Sequence, residues 1–177
     1  MLKSNNIILR PIIETDLAFM WERHADIEDR GVYFPMGVMS QNLFRQQFAE
    51  SGFWGKDSGM LVITTASNGY IAGHIEFFRT LKYLDEIELS YQIYGTQNRG
   101  KGIATESVQL MTKYLFEKTK INRIRLMIHP ENKPSIRVAE KAGYHYESTS
   151  KGIWYNRGKY YDLLTYVLLR DEFFGKG

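Results

Sequence analysis

The sequence predicts a single α/β domain built on a mixed sheet, spanning residues 1–177, and three observations carry that expectation. A strand pattern, a glycine-containing turn, a long amphipathic helical pattern and a further strand follow one another between residues 86 and 128. That order describes a parallel crossover. Two β-branched and aromatic segments joined by turn residues precede it, which makes them and its first strand a run of sequence neighbours. The chain has 177 residues and is 44% hydrophobic, enough for one well-buried core and short for two.

Taken in order, Ile7, Ile8 and Leu9 before Arg10-Pro11 predict a short first strand that proline stops. Thr15 is then placed to cap a helix whose apolar residues Leu17, Met20 and Trp21 share a face. Ser40 is the expected cap of a second helix carrying Leu43, Phe44 and Phe48. The stretch "SGFWGKDSGM" breaks the helical pattern, and "LVITTA", "YIAGHIEFF" and "DEIELSYQIY" are the three strands. Helical spacing returns over Ile103, Ser107, Leu110, Met111, Tyr114 and Leu115, and "INRIRLMIH" is the strand behind it. Pro134 suits a first helical position and Gly143 the residue past the end of a short helix. "GIWYNRGKYYDLLTYVLL" predicts a closing hairpin that turns between Asn156 and Lys159.

Composition narrows the function. Lys and Arg number 23 against 20 Asp and Glu, a net charge of +3, and no basic stripe interleaved with aromatics occurs, so nucleic acid is not an expected partner. No apolar run reaches the roughly 18 residues of a membrane span, and none near the start reads as a signal peptide. With no cysteine in the chain, disulfides, thiolate metal sites and cysteine nucleophiles are excluded, and a cytoplasmic setting is expected. His24 and His129 lack ligand-spaced companions, so no metal site is predicted.

The sharpest local feature is "QNRGKGIATES", residues 97–107. A glycine in a helix interior costs about 1 kcal/mol relative to alanine, so Gly100 and Gly102 at a helix entrance need a reason. A turn requiring positive φ is the ordinary one. The functional one is an anion site, in which bare backbone N–H groups and the helix N-terminus face one phosphate, with Arg99 and Lys101 adding charge and Thr105 a hydroxyl. The spacing is neither a P-loop nor a dinucleotide fingerprint, which needs a third glycine where Thr105 stands.

The remaining pattern, Gln97-x-x-Gly100-x-Gly102-x-Ala104 between a strand and a long helix, resembles the acetyl-CoA pyrophosphate loop of the GCN5-related N-acetyltransferases. Downstream, "HPENKPSIRVAEKAGYHYES" is similar to a signature of the ribosomal-protein alanine acetyltransferase branch, through Asn132, Ser135, Glu140-Lys141, Gly143 and Tyr144. "LRPIIETDL", "IELSYQIY" and "NRGKYYDLLTYVL" resemble the opening strand, the strand before the loop and the closing hairpin. The resemblance covers nearly the whole chain in the right order. It implies a mostly antiparallel sheet with a splayed central parallel pair, flanked by helices. Acetyl-CoA, the co-substrate, would lie in the splay. The edge at Ile93 and Tyr94 would pair with the pantetheine arm, as an added strand does. The residues Gln97, Arg99, Gly100, Lys101, Gly102, Ile103, Ala104 and Thr105 would hold the pyrophosphate, and Asn132 the arm from the far side. Lys133 and Arg137 would meet adenosine phosphates, or else form a solvated helix face.

Amide formation needs a neutral amine, a polarised thioester carbonyl and a stabilised thiolate. The family's usual carbonyl donor is a backbone N–H near Ile93. Many relatives place a tyrosine seven residues after the asparagine for the thiolate, whereas this chain has Ala139. The branch resemblance gives the role to Ser135, which would either protonate the thiolate or only contact CoA. Glu88 is the candidate base; Glu86 shares its strand face, and His74 ranks behind both. Family resemblance puts the acceptor pocket among the first helices and the hairpin, where Trp21, Tyr33, Phe34, Phe53, Trp54, Trp154, Tyr155 and Tyr160 occur with Glu14, Asp16, Asp26, Glu28 and Asp29. Aromatics and acids suit a cationic amine, although core packing explains most of the aromatics. The expected activity is acetyl transfer from acetyl-CoA to a primary amine, with a protein N-terminal α-amine preferred. A polyamine or aminoglycoside-type amine is the alternative acceptor, and a non-catalytic acyl-CoA sensor the alternative function. A homodimer through exposed strand edges is left open.

Overall fold

The computed structural model describes residues 1–175. Its strands β1 (Leu2–Lys3), β2 (Ile7–Pro11), β3 (Ser58–Thr65), β4 (Ile71–Phe78), β5 (Glu86–Ile93), β6 (Arg123–Ile128), β7 (His145–Asn156) and β8 (Lys159–Leu169) form one sheet in the order β1-β2-β3-β4-β5-β6-β8-β7. Every neighbouring pair is antiparallel except β5 and β6. The helices are α1 (Leu17–Ala25), α2 (Ile27–Arg30), α3 (Gln41–Ser51), α4 (Ile103–Lys118), α5 (Lys133–Lys141) and α6 (Arg170–Phe174).

Period-2 alternation divides the sheet into two faces. Ile7, Leu9, Leu61, Ile63, Ile75, Phe77, Ile87, Leu89, Ile124 and Leu126 point to the face that α4 and α5 cover. Helix α4 buries Val108, Met111, Leu115 and Phe116 against them, each worth roughly 1.5–3 kcal/mol of removed apolar surface. Val62 faces the other way, into a smaller cluster with Leu17, Met20 and Phe44 from α1 and α3.

The parallel pairing of β5 with β6 is short. It covers Glu86↔Arg123, Ile87↔Ile124 and Glu88↔Arg125 and then ends. From Leu89 onward β5 stays bonded to β4, while β6 beyond Arg125 stays bonded to β8. The sheet therefore opens along its centre, which agrees with the expected splay.

The predicted elements are present, with local differences. Thr15 does not cap a helix. It lies inside a 3-10 turn, Glu14–Asp16, and the Asp16 carboxylate accepts the Ile13 amide at 2.9 Å. Strand β7 begins seven residues before Gly152, because its cross-strand pairing with β8 continues from Thr149↔Leu164 to His145↔Val167. β1, α2 and α6, each of five residues or fewer, had no periodicity to announce them. Ser40 caps α3 as expected, accepting from the Leu43 amide at 3.2 Å.

Candidate active site

The glycine turn produces a set of unfilled donors. Gly100 and Gly102 have φ of +74° and +82°, and the first bond inside α4 runs from the Glu106 amide to the Gly102 carbonyl at 3.0 Å. The amides from Gly100 to Thr105 thus have no backbone acceptor among the described residues. A Cβ at Gly100 would meet no atom within 4 Å, so the loop faces open space. Arg99 and Lys101 are exposed beside it, as is Gln97, whose amide group packs against Gly95. Donors, charge and access fit a diphosphate. Ile103 is buried, anchoring the first turn.

The two residues expected to meet the arm differ in their backbone. The Tyr94 amide donates to the Ala72 carbonyl at 2.8 Å, and its carbonyl accepts from Asn98 Nδ2 at 2.8 Å. Alternation turns the Ile93 and Tyr91 amides to the opposite edge, toward the splay. The Ile93 edge is free for the arm; the Tyr94 backbone is committed to β4 and the loop. The Tyr94 side chain is buried, with its hydroxyl 2.8 Å from His74 Nδ1.

Across the splay, Asn132 caps α5 by accepting the Ser135 amide on Oδ1 at 3.3 Å, which leaves its Nδ2 donors out of the cap. Ser135 Oγ lies 2.7 Å from the Tyr91 hydroxyl. Burial pushes the Tyr91 phenol up to about 12, against a smaller opposing effect of that hydrogen bond, so it stays protonated. Ala139 is fully buried. Sequence reasoning missed Tyr91: alternation placed it on the helix side, but nothing in the pattern indicated which helix residue it meets. Lys133 and Arg137 are exposed on α5.

On the opposite face, Glu86, Glu88 and Ser90 of β5 stand beside Glu76 of β4. Glu86 is bracketed by Arg123 Nε at 2.5 Å and Arg125 Nη1 at 2.9 Å. Glu88 meets Arg125 Nε at 3.0 Å and Nη2 at 2.9 Å, and both contacts fall on Oε2. Burial nonetheless raises the Glu88 carboxyl above its ordinary range, with Arg125 opposing and Glu86 and Glu76 reinforcing. The two arginines, absent from the sequence-level picture, are set opposite the glutamates by the parallel register. His74 is fully buried, 4.8 Å between ring centroids from His24. Desolvation holds both rings neutral, His24 down to about 4.

A cleft of about 520 Å³ opens on this face, lined by Phe44, Phe53, Trp54, Met60 and Phe78 around Glu76. The acids expected to line an acceptor pocket are mostly engaged elsewhere. Asp16 is buried in a two-point pair with Arg10 at 2.7 and 2.8 Å. Asp26 caps α2 through the Glu28 and Asp29 amides, Glu14 pairs with Arg45 at 2.7 Å, and Asp29 faces Arg23 at 3.6 Å. Glu28 sits at the surface, 4.0 Å from Arg157. Trp21 donates to the Met39 carbonyl at 3.0 Å from within the smaller core. Tyr33 and Trp154 surround His129 together with Tyr161, Phe34 stacks under Arg30, and Tyr155 and Tyr160 are exposed on the hairpin.

Comparison with known proteins agrees with this geometry. The chain is 33% identical over 98 residues to "Probable N-acetyltransferase YjcK" of Bacillus subtilis, covering 52% of this chain and 54% of that one; it spans about half the length of the first curated relatives it matches. The fold superimposes with a TM-score of 0.84 on spermidine N-acetyltransferase from Vibrio cholerae in complex with CoA and spermine, at 17% identity over 97% of this chain and 100% of that one. It matches RimL, a ribosomal alpha-N-protein acetyltransferase in complex with coenzyme A, with a TM-score of 0.80 at 20% identity, over 96% of this chain and 97% of the other. At such identities these two likenesses concern the fold. The model of the acetyltransferase (GNAT) domain matches residues 6–145, and with that match over most of its length the chain belongs to the GNAT acetyltransferase family.

Proposed function

We propose that the protein is an acetyl-CoA-dependent N-acetyltransferase that modifies a primary amine, with a protein N-terminal α-amine as acceptor, as in the ribosomal-protein branch of the family. The observation that carries this reading is the conjunction of a donor-rich loop with a split between β5 and β6. One end fits a diphosphate and the other a thin, amide-bearing arm. Acetyl-CoA supplies the acyl group when bound; the chain positions it and handles protons.

Gly100 to Thr105 hold the pyrophosphate with Gln97, Arg99 and Lys101, and Asn132 Nδ2 meets the arm. The Ile93 amide is aimed at the splay, where it stabilises negative charge as the carbonyl oxygen gains it. Ser135 hydrogen-bonds the departing sulfur, and Tyr91, donating to Ser135 Oγ, leaves the serine proton free to point there. Glu88, whose Oε1 carries neither Arg125 contact, orders a water that relays the ammonium proton to that carboxylate oxygen.

Ser135→Ala is expected to lower kcat by roughly 100-fold or more with acetyl-CoA affinity nearly unchanged. Tyr91→Phe is expected to lower kcat by less and leave the fold intact, since the ring still packs; equal kcat in Tyr91→Phe and wild type would remove its positioning role. Glu88→Gln should slow turnover most at low pH, where the amine is hardest to deprotonate. A pH profile identical to that of wild type would disqualify Glu88. The test of the reading itself is thiol release from acetyl-CoA across N-terminal peptides, polyamines and aminoglycosides, beside calorimetric acetyl-CoA binding. Release with peptides is expected, whereas tight binding without release from any amine would favour the sensor alternative.

A further inference from the structure

Within the acidic face, one carboxylate differs from its neighbours. Glu86 and Glu88 have arginine partners. Glu76, also partly buried, makes no ion pair among the described residues; it stands opposite Ser90 of β5, and burial pushes its carboxyl upward with the Ser90 side chain opposing. A charged group in such a place is costly unless a counter-charge is supplied. Arg125 and Arg123 are taken up by Glu86, Glu88 and Glu147, and Arg30, across the cleft, makes no ion pair with Glu76.

The position of Glu76 says where a counter-charge would come from. Ser90 lies two residues beyond Glu88, the last β5 residue paired with β6, so Glu76 stands one strand away from the start of the splay, on the face opposite Ser135. It forms part of the wall of the 520 Å³ cleft, among Phe44, Phe53, Met60 and Phe78. We propose that Glu76 is the specificity residue that seats the acceptor's ammonium group, and that the cleft takes a monocationic primary amine whose adjoining group is apolar, such as a peptide N-terminus with a hydrophobic first residue. This deepens the N-acetyltransferase reading and rests on it.

Charge around the cleft selects one cation. Its other carboxylate, Glu50 on α3, is exposed and accepts from Gln46 Nε2 at 2.9 Å. His24 is neutral, and Arg30 puts a full positive charge on the wall, fixed by hydrogen bonds to the His24 and Gly37 carbonyls. A second ammonium on the same ligand would lie near Arg30, while an apolar side chain meets phenylalanine and methionine. The titratable groups that share the cleft wall with Glu76 are thus His24 of α1, Arg30 of α2 and Glu50 of α3, with Glu88 of β5 close enough on the same sheet face to feel its charge.

The experiment compares wild type, Glu76→Gln and Glu76→Asp in thiol release from acetyl-CoA, with a leucine-first peptide, an aspartate-first peptide and spermidine as acceptors. Wild type is expected to favour the leucine-first peptide in kcat/KM. Glu76→Gln should raise its KM by roughly 30-fold or more, as truncating one partner of a buried charge pair does, with kcat falling less and calorimetric CoA affinity unchanged. Glu76→Asp, which keeps the charge, should recover part of that KM. If Glu76→Gln does not fold, Ser90→Ala is read in its place, with a smaller KM rise expected. A wild-type KM in Glu76→Gln, or spermidine preferred by wild type, overturns the proposal alone. No thiol release by wild type with any amine overturns the N-acetyltransferase reading as well.

Discussion

Gly100→Asp is expected to weaken acetyl-CoA binding by at least about 100-fold while leaving the protein folded. Two effects separate at this position. The residue has φ of +74°, so any side chain adds left-handed strain of roughly 1–2 kcal/mol, but no atom lies within 4 Å of the added Cβ. The fold therefore survives. The carboxylate, in contrast, enters a zone of unfilled amides and competes with the diphosphate for them, as well as repelling it. Gly100→Ala isolates the strain and should retain most of the affinity. Calorimetry with acetyl-CoA beside a thermal melt makes the measurement, and unchanged affinity in Gly100→Asp would remove the phosphate-loop assignment.

The second large effect is expected at Gly73, and its cause is the reverse. A Cβ there would lie 2.1 Å from the Gln92 carbonyl oxygen and 3.2 Å from the Ile93 Cα. Backbone cannot rotate away as a side chain would, so β5 must shift as a unit. Overpacking of this kind costs about 1–3 kcal/mol, which for a chain of this length lowers Tm by roughly 2–4 °C per kcal/mol. Gly73→Ala should thus melt at least about 2 °C below wild type. It should also bind acetyl-CoA more weakly, because Ile93 carries the open edge of the splay. A variant with wild-type Tm and affinity would contradict the β4–β5 register at this point.

These two glycines also mark how far the pattern of residues could be read. Gly100 and Gly102 interrupt a helical period at its start, and a local interruption with flanking charge is legible because its cause is local. Gly73 sits inside "YIAGHIEFF" without disturbing the strand, and only the neighbouring strand explains it. The same division runs through the site. The loop and the acidic face of β5 follow from spacing and alternation, and Asn132 and Ser135 from the resemblance of their segment to the family signature. Tyr91 against Ser135, Arg125 against Glu88 and the unpaired state of Glu76 do not.

The acids near the first helices make the point in the opposite direction. The family resemblance implied an acceptor wall that would include Glu14, Asp16, Asp26, Glu28 and Asp29, whereas Asp16 holds Arg10 and a turn amide, and Asp26 a helix start. A short acidic side chain satisfies nearby backbone donors wherever it meets them, and composition counts the charge without its partner.

What the chain of residues settled unaided is the order of the longer elements, the faces of each strand and the glycine turn before α4, since all three rest on interactions within a few residues. Tertiary structure alone decided which charges are neutralised and which hydroxyls meet. Those depend on register between strands and on the helix that crosses them, and a carboxylate's chemistry is set by the cation beside it more than by its own place in the sequence.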